Sequence, residues 1–168
     1  MPGVVSDSST LIHLSALGRL MLLQRFYGQV LMPPAVWREV VEEGRGRPGA
    51  REVEEAVRAG WLKIVTPSHE VVLRLLQRTL DDGEAEAIAL AVEQQAESIL
   101  LDESEAREIA SLYGLRKTGV VGLLIRATLE GHLPSLRQEL DTLRTEAGFW
   151  MSENLYRQAL AAVGEGMA

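Results

Sequence analysis

The sequence has no cysteine, only three histidines in 168 residues, and no apolar run long enough to cross a bilayer. Without cysteine, the chain can form no disulfide framework, thiol nucleophile or cysteine-ligated zinc site, and this composition suits a reducing cytoplasm. The few histidines lack HExxH spacing, which argues against zinc-dependent hydrolysis. The N-terminus lacks the basic and apolar regions of a signal peptide, so we expect a cytoplasmic protein without a membrane association.

Basic residues are fewer than acidic ones, with 17 Lys and Arg against 24 Asp and Glu and a net charge of −7. This balance argues against broad nucleic-acid binding through a basic face. It does not exclude a nucleic-acid substrate, because a bound metal ion neutralises clustered acids. The GxxxxGK[ST] and GxGxxG motifs are absent, so P-loop and Rossmann interpretations lack support.

The chain length and its 46% hydrophobic content predict a single domain with a real core. Short apolar blocks alternate with helical segments, without hairpin dipeptides, and this order predicts an α/β fold with a parallel sheet. Helices are expected over 10–23, where Gly18 lowers helix propensity and offers a point at which the helix could split, and over 35–43. The domain spans 1–168, with a core over 1–131 and a C-terminal helical extension over 132–168. The expected strands lie within 4–5, 30–32, 61–65, 99–101 and 116–118.

The stretch 80–106, LDDGEAEAIALAVEQQAESILLDESEA, organises this pattern. Its Asp/Gly start and alanine-rich run predict a helix that begins near Asp81 to Glu84. The apolar block 99–101 then predicts a buried parallel strand, with Asp102 directly after it. Ligand sites of open α/β sheets lie at the carboxyl ends of the strands, so Asp102 is expected to face a crevice.

Four acids are expected to converge at this edge of the sheet. Asp7 and Asp102 each follow an apolar strand, while Glu39 and Glu84 lie in the first turns of neighbouring helices. Carboxylate oxygens suit Mg²⁺ or Mn²⁺, and a metal in such a site lowers the pKa of bound water and stabilises charge on a phosphoryl group. The pattern therefore favours phosphodiester hydrolysis.

Each acid also has a purely structural interpretation. Asp7 has the position of a helix N-cap. Asp81 and Glu84 are three residues apart and together suit a variant capping box. Glu39 has the character of an ordinary solvated residue, and Asp102 is able to start an Asx-turn before Ser104. The joint placement of the four acids carries more weight than any one of them.

Other candidates are secondary. Ser9 and Thr118 are able to line the pocket by their hydroxyls, or to cap and turn the chain. His13 lies among apolar residues, which favours a core or boundary histidine over a catalytic base. The loop residues Arg45 and Arg47 suit contact with a phosphate backbone, or simple solubility.

The segments VVSDSSTLIHL, LMPPAVWREV, DDGEAEAIALA and ILLDESEA, in this order over 4–131, resemble the PIN domain of the VapC-type toxin ribonucleases. The resemblance implies a three-layer fold with a central parallel sheet flanked by helices, and a metal-dependent endoribonuclease using Mg²⁺ or Mn²⁺. It assigns Asp7, Glu39, Glu84 and Asp102 as catalytic residues and metal ligands. The GEAEAI third motif departs from the usual aspartate, and Glu103 or Glu105 stands in for a further acid.

The resemblance also implies RNA as substrate, a homodimer and an antitoxin protein as partner. Two rivals stay open from the residues alone. One is a nucleic-acid- or protein-binding module that has kept the fold without turnover, and the other is a phosphatase acting on small molecules.

Overall fold

The computed structural model describes residues 3–166. Its centre is a five-stranded sheet in the order β3-β2-β1-β4-β5, and every neighbouring pair is parallel. This topology confirms the predicted α/β class with a central parallel sheet. The strands are β1 (Val4–Ser6), β2 (Val30–Met32), β3 (Leu62–Ile64), β4 (Ser98–Leu100) and β5 (Lys117–Thr118).

Helices connect the strands and cover both faces of the sheet. In residues 3–166, no helix is long and apolar enough to span a membrane. The helices are α1 (Ser8–Ala16), α2 (Met21–Tyr27), α3 (Pro34–Trp37), α4 (Ala50–Ala59), α5 (Glu70–Gln77), α6 (Asp82–Glu93), α7 (Ser104–Leu112), α8 (Val120–Leu129), α9 (Leu136–Glu146) and α10 (Glu153–Ala162), with a π-helix (Arg38–Glu42) after α3.

Alternation of side chains along the strands divides the core into two layers. Val4 and Leu100 point to the layer that holds α1, α4, α8, α9 and α10, together with Leu11, Leu14 and Leu124. Val5, Ile99 and Leu101 point to the opposite layer, which α5, α6 and α7 cover. Both faces of the central strands β1 and β4 are buried, as their apolar blocks predict.

Three local features differ from the sequence-based expectation or refine it. The first predicted helix is divided at Gly18, which has φ 71°, a left-handed value that favours glycine at a helix end. The helix expected over 35–43 changes to π-helical geometry from Arg38 to Glu42, which re-aims Glu39. The sequence also predicts Ser104 as the N-cap of α7, but Ser104 lies inside the helix and the N-cap is Glu103.

The helices after residue 131 share the core with the first half of the chain. Leu136, Leu140, Leu143 and Leu160 belong to the same buried cluster as Leu11. A bidentate ion pair adds to this packing, because the Arg19 guanidinium donates to both oxygens of Glu139 at 3.0 Å. Glu139 lies on α9 and is only 8% exposed, so the pair fixes α9 against the segment between α1 and α2.

Replacing Glu139 with Gln should lower the free energy of unfolding by about 1–3 kcal/mol, because charge-assisted bonds to a partly buried partner are lost. Glu70→Gln is the matched control, since it removes a pair with Arg74 in which both side chains are exposed. The control should change stability by less than about 0.5 kcal/mol. Urea unfolding measures both variants, and equal losses would contradict a specific role for the Arg19–Glu139 pair.

Candidate metal centre

Asp7 and Asp102 emerge at the same edge of the sheet. Strands β1 and β4 are parallel neighbours with Ser6 opposite Leu100, and the Asp7 N–H donates to the Leu100 carbonyl at 3.1 Å. Asp7 follows β1 directly, while Leu101 separates Asp102 from the end of β4. The expected placement of both carboxylates at one carboxyl edge is therefore confirmed.

Asp7 caps α1 with only one of its two carboxylate oxygens. Its Oδ1 accepts the N–H of Thr10 at 3.1 Å. Its Oδ2 is buried and has no hydrogen-bond partner among residues 3–166, although the residue is only 1% exposed. A buried carboxylate oxygen without a partner is costly, so capping alone does not account for an aspartate here.

Asp102 is held by three donors from two helices. The backbone N–H of Val120, at the start of α8, donates to Oδ1 at 2.8 Å. The Thr10 hydroxyl donates to Oδ2 at 3.2 Å, and Nδ1 of His13 lies 3.2 Å from the same oxygen. These bonds fix the carboxylate beside Asp7 and join the end of β4 to α1 and α8.

Glu39 lies against the beginning of α6. A Cβ placed on Gly83 would be 2.3 Å from Oε1 of Glu39, so the carboxylate packs directly on the glycine backbone. The Ser8 hydroxyl donates a short hydrogen bond to the same oxygen. The positive end of the α6 dipole favours an anion at this position.

Glu84 lies in the first turn of α6, between the other acids. Asp81 is the N-cap and accepts the Glu84 N–H at 2.9 Å, and the Asp81 N–H in turn lowers the pKa of Glu84. The bond from the Glu84 N–H to the Asp81 carboxylate is the N-cap half of the predicted capping box. The Glu84 carboxylate still faces an acidic surround formed by Asp81, Glu103 and Glu39.

Burial and the charges of neighbouring acids raise the pKa values of three of these acids. Burial raises the pKa of Asp7 well above its ordinary value of 3.8, and the charges of Asp102 and Glu84 raise it further. Burial also raises the pKa of Glu39, with Asp81 adding to the effect. Burial first, and then Asp81 and Glu103, raise the pKa of Glu84 to about 7. Charge interactions between Asp7 and Glu84, and between Glu84 and Glu39, show that the acids form one electrostatic unit.

The predicted pocket residues have different surroundings. Thr118 lines a cavity beside Asp102, at the end of β5. Ser9 is half-buried on α1, but it is its neighbours Ser8 and Thr10 whose hydroxyls contact acids of the site. Glu105 is exposed, and Glu103 is the acid that raises the pKa of Glu84.

Sequence reasoning missed Thr10, Ser8 and the proximity of His13 to Asp102. His13 is a boundary residue, as expected, with its side chain 19% exposed and its ring edge-on to Phe149 at 4.9 Å. Its contact with Asp102 spans 89 residues of chain, so no local pattern indicates it. The available signal was helical spacing, because Thr10 and His13 are three residues apart and lie on one face of α1.

The donor chemistry of the site suits a hard divalent cation. The unpartnered Asp7 Oδ2 and the raised pKa values indicate negative charge that the protein itself does not compensate. In the described chain, no three acidic or histidine side chains converge tightly enough to form a complete metal cage. A Mg²⁺ site needs no such cage, since Mg²⁺ is usually held by one or two carboxylates with water and substrate phosphate. The residues therefore fit a metal that retains part of its hydration shell.

A family model described as a PIN domain matches residues 3–165. The match covers the sheet, all four acids and the C-terminal helices. No curated protein matches the chain.

Gly83→Ala tests the packing of Glu39 on α6. In wild type the new Cβ would collide with the Glu39 carboxylate, so the free energy of unfolding should fall. In a Glu39→Ala background the collision is gone, and the same change should raise stability by up to about 1 kcal/mol through helix propensity. A double-mutant cycle measured by urea unfolding gives the coupling. Equal effects in both backgrounds would contradict the contact.

The raised pKa of Glu84 predicts how the stability of the metal-free protein depends on pH. A carboxyl group whose pKa is higher in the folded than in the unfolded state stabilises the fold at low pH. That contribution is lost as the pH rises from the ordinary value of 4.5 through about 7. The melting temperature of Glu84→Gln should therefore fall less than that of wild type between about pH 5 and 8.

Asp82→Asn is the control for this pH series, because it removes one negative charge from the same helical turn at an exposed position. Thermal unfolding in EDTA over the pH series compares the three proteins. Parallel plots of melting temperature against pH for wild type and Glu84→Gln would contradict a raised pKa of Glu84 in the folded protein.

Proposed function

The chain belongs to the PIN-domain family, and from that premise we propose that it is a metal-dependent ribonuclease. PIN domains are generally nucleases that use divalent metal ions and bind nucleic acid. The observation that best supports activity in this chain is the buried Oδ2 of Asp7, which has no partner among residues 3–166 and lies at the sheet edge that holds Asp102. An inert fold has no need of this arrangement, which destabilises the metal-free protein.

In this proposal Asp7, Asp102, Glu84 and Glu39 hold Mg²⁺ or Mn²⁺ directly or through water. The metal, when bound, supplies an acidified water and stabilises negative charge on the phosphoryl group. The protein supplies the orientation of the ligands. Thr10 and Val120 hold the Asp102 carboxylate, and Ser8 holds that of Glu39.

Metal binding in this proposal also depends on the protonation state of Glu84. With a pKa of about 7, Glu84 carries a proton for part of the time at neutral pH in the metal-free protein. Binding of a divalent cation favours the ionised form, so metal uptake should release protons. His13 is placed to keep Asp102 oriented through this change, because its ring nitrogen contacts the oxygen that faces α1.

The finer parts of the proposal come from the resemblance to the VapC-type toxins. They are RNA as the substrate, Mg²⁺ or Mn²⁺ as the ion, a cytoplasmic toxin role with a small antitoxin as partner, and a homodimeric assembly. A gene for a small protein beside the gene for this chain, and inhibition by that protein, would test the toxin role.

Cleavage of labelled RNA should require Mg²⁺ or Mn²⁺, and Asp7→Asn should reduce the rate by at least about a hundredfold, since the charge that attracts the ion is removed. Asp7→Asn retains an oxygen for the Thr10 N–H, so the α1 cap should persist. Asp82→Asn is the control, because it removes an exposed charge from the neighbouring helix and should cleave like wild type.

Thermal shift gives a second readout that does not depend on turnover. Mn²⁺ should raise the melting temperature of wild type and Asp82→Asn, but not that of Asp7→Asn, through preferential binding to the folded state. RNA binding without cleavage in either metal would favour the binding-module alternative. Hydrolysis of a small phosphomonoester with RNA left intact would favour the phosphatase.

A further inference from the structure

A groove of about 420 Å³ opens beside the acids, on the side of β5. Asp102 lines it, so the groove adjoins the candidate metal centre. Its volume lies within the range of about 300–1,000 Å³ that is usual for small-molecule sites. Asp102 is the one proposed metal ligand among its lining residues, so the other lining residues have no role in holding a metal.

One wall of the groove is basic. Arg107, on α7, and Lys117, on β5, both line it and are half-buried. Nη1 of Arg107 donates to the Leu101 carbonyl at 2.7 Å, which fixes the guanidinium at the end of β4. Neither cation forms an ion pair with an acidic side chain of residues 3–166, although the chain has an excess of acids. Their charge is therefore available to an anionic ligand.

A second part of the lining is apolar. Val121 and Ile125 come from α8, and Leu155 comes from the first turn of α10. Leu155 is 39% exposed, so a large apolar side chain is left open to the groove. Helix α10 is anchored in the core by Ala159 and Leu160, which gives this wall a fixed position.

We propose that this groove binds one nucleotide of single-stranded RNA next to the scissile phosphate, with its phosphate on Lys117 and Arg107 and its base on Ile125 and Leu155. The inference rests on the proposed function, since it takes RNA as the substrate. A nucleotide combines an anion with a flat, largely apolar base, and the two walls of the groove match these parts. The C-terminal helix α10 thereby becomes part of the substrate site.

The chain offers a matched pair for the test, because Lys63 and Lys117 are its only lysines and lie in the two edge strands of the sheet. Lys63 is exposed on β3, at the far edge from the groove. Each lysine is replaced with Gln, and binding of a short fluorescent single-stranded oligoribonucleotide is followed by anisotropy in EDTA. The titrations are repeated between about 50 and 200 mM salt, a range over which phosphate contacts weaken strongly.

Lys117→Gln should weaken binding and reduce the slope of log affinity against log salt by about 0.7, the value for one phosphate contact on a single strand. Lys63→Gln should leave both quantities unchanged. Leu155→Ser should weaken binding several-fold at an unchanged slope, since it alters an apolar contact. Leu129→Ser is its control, because Leu129 is 64% exposed on α8 and does not line the groove.

Equal behaviour of the two lysine variants would overturn the groove, as would the absence of RNA binding at low salt. If RNA is cleaved while Lys117→Gln binds like Lys63→Gln, the groove fails and the ribonuclease proposal stands. If no metal supports cleavage while the Lys117 and Leu155 effects persist, the groove stands and the ribonuclease proposal fails. The same set of variants therefore tests the groove and the ribonuclease proposal separately.

Discussion

The uncompensated burial of the Asp7 carboxylate is the constraint on which the rest of this structure depends. The residue is 1% exposed, shares an edge with Asp102, and has one oxygen without a partner in the described chain. Leaving a charge in such a place costs stability, and the cost rises with every further acid nearby. The fold offsets the cost with its two apolar layers, which hold the sheet edge in place whether or not the acids repel.

Asp102 shows how the surrounding helices are adapted to that constraint. Its carboxylate accepts hydrogen bonds from the start of α8 and from Thr10 on α1, and these bonds hold it beside Asp7. The approach of α8 requires Gly119, since a Cβ there would be 2.7 Å from Oδ1 of Asp102. Gly83 serves the same purpose for Glu39 at the start of α6. Glycine at these two places lets a carboxylate rest on a helix N-terminus, where the dipole favours it.

The sequence predicts the strand ends that position the site better than the side-chain contacts within it. Strand ends follow from short apolar blocks, so the shared edge of Asp7 and Asp102 is predictable from local pattern and from the geometry of parallel sheets. The π-helical turn around Glu39 is not, because such turns are rare and the composition of 35–43 is typical of an ordinary α-helix. The contact of His13 with Asp102 joins segments that only the folded chain brings together. Which acids actually bind a metal stays a prediction.

The distribution of charge is compatible with the proposed binding of a polyanion by this acidic chain. Net charge acts at long range and is screened over about 10 Å at moderate salt, whereas contacts inside a groove act at a few ångströms. Arg107 and Lys117 lie within such a groove beside Asp102, and no acid of residues 3–166 forms an ion pair with either. A phosphate in this groove would lie near two cations and, with a metal ion held by the acids, near a further positive charge. Because each would neutralise part of the repulsion, the proposal has the groove cations support RNA binding in the metal-free protein and a bound metal ion strengthen it, which couples substrate binding to occupancy of the metal centre.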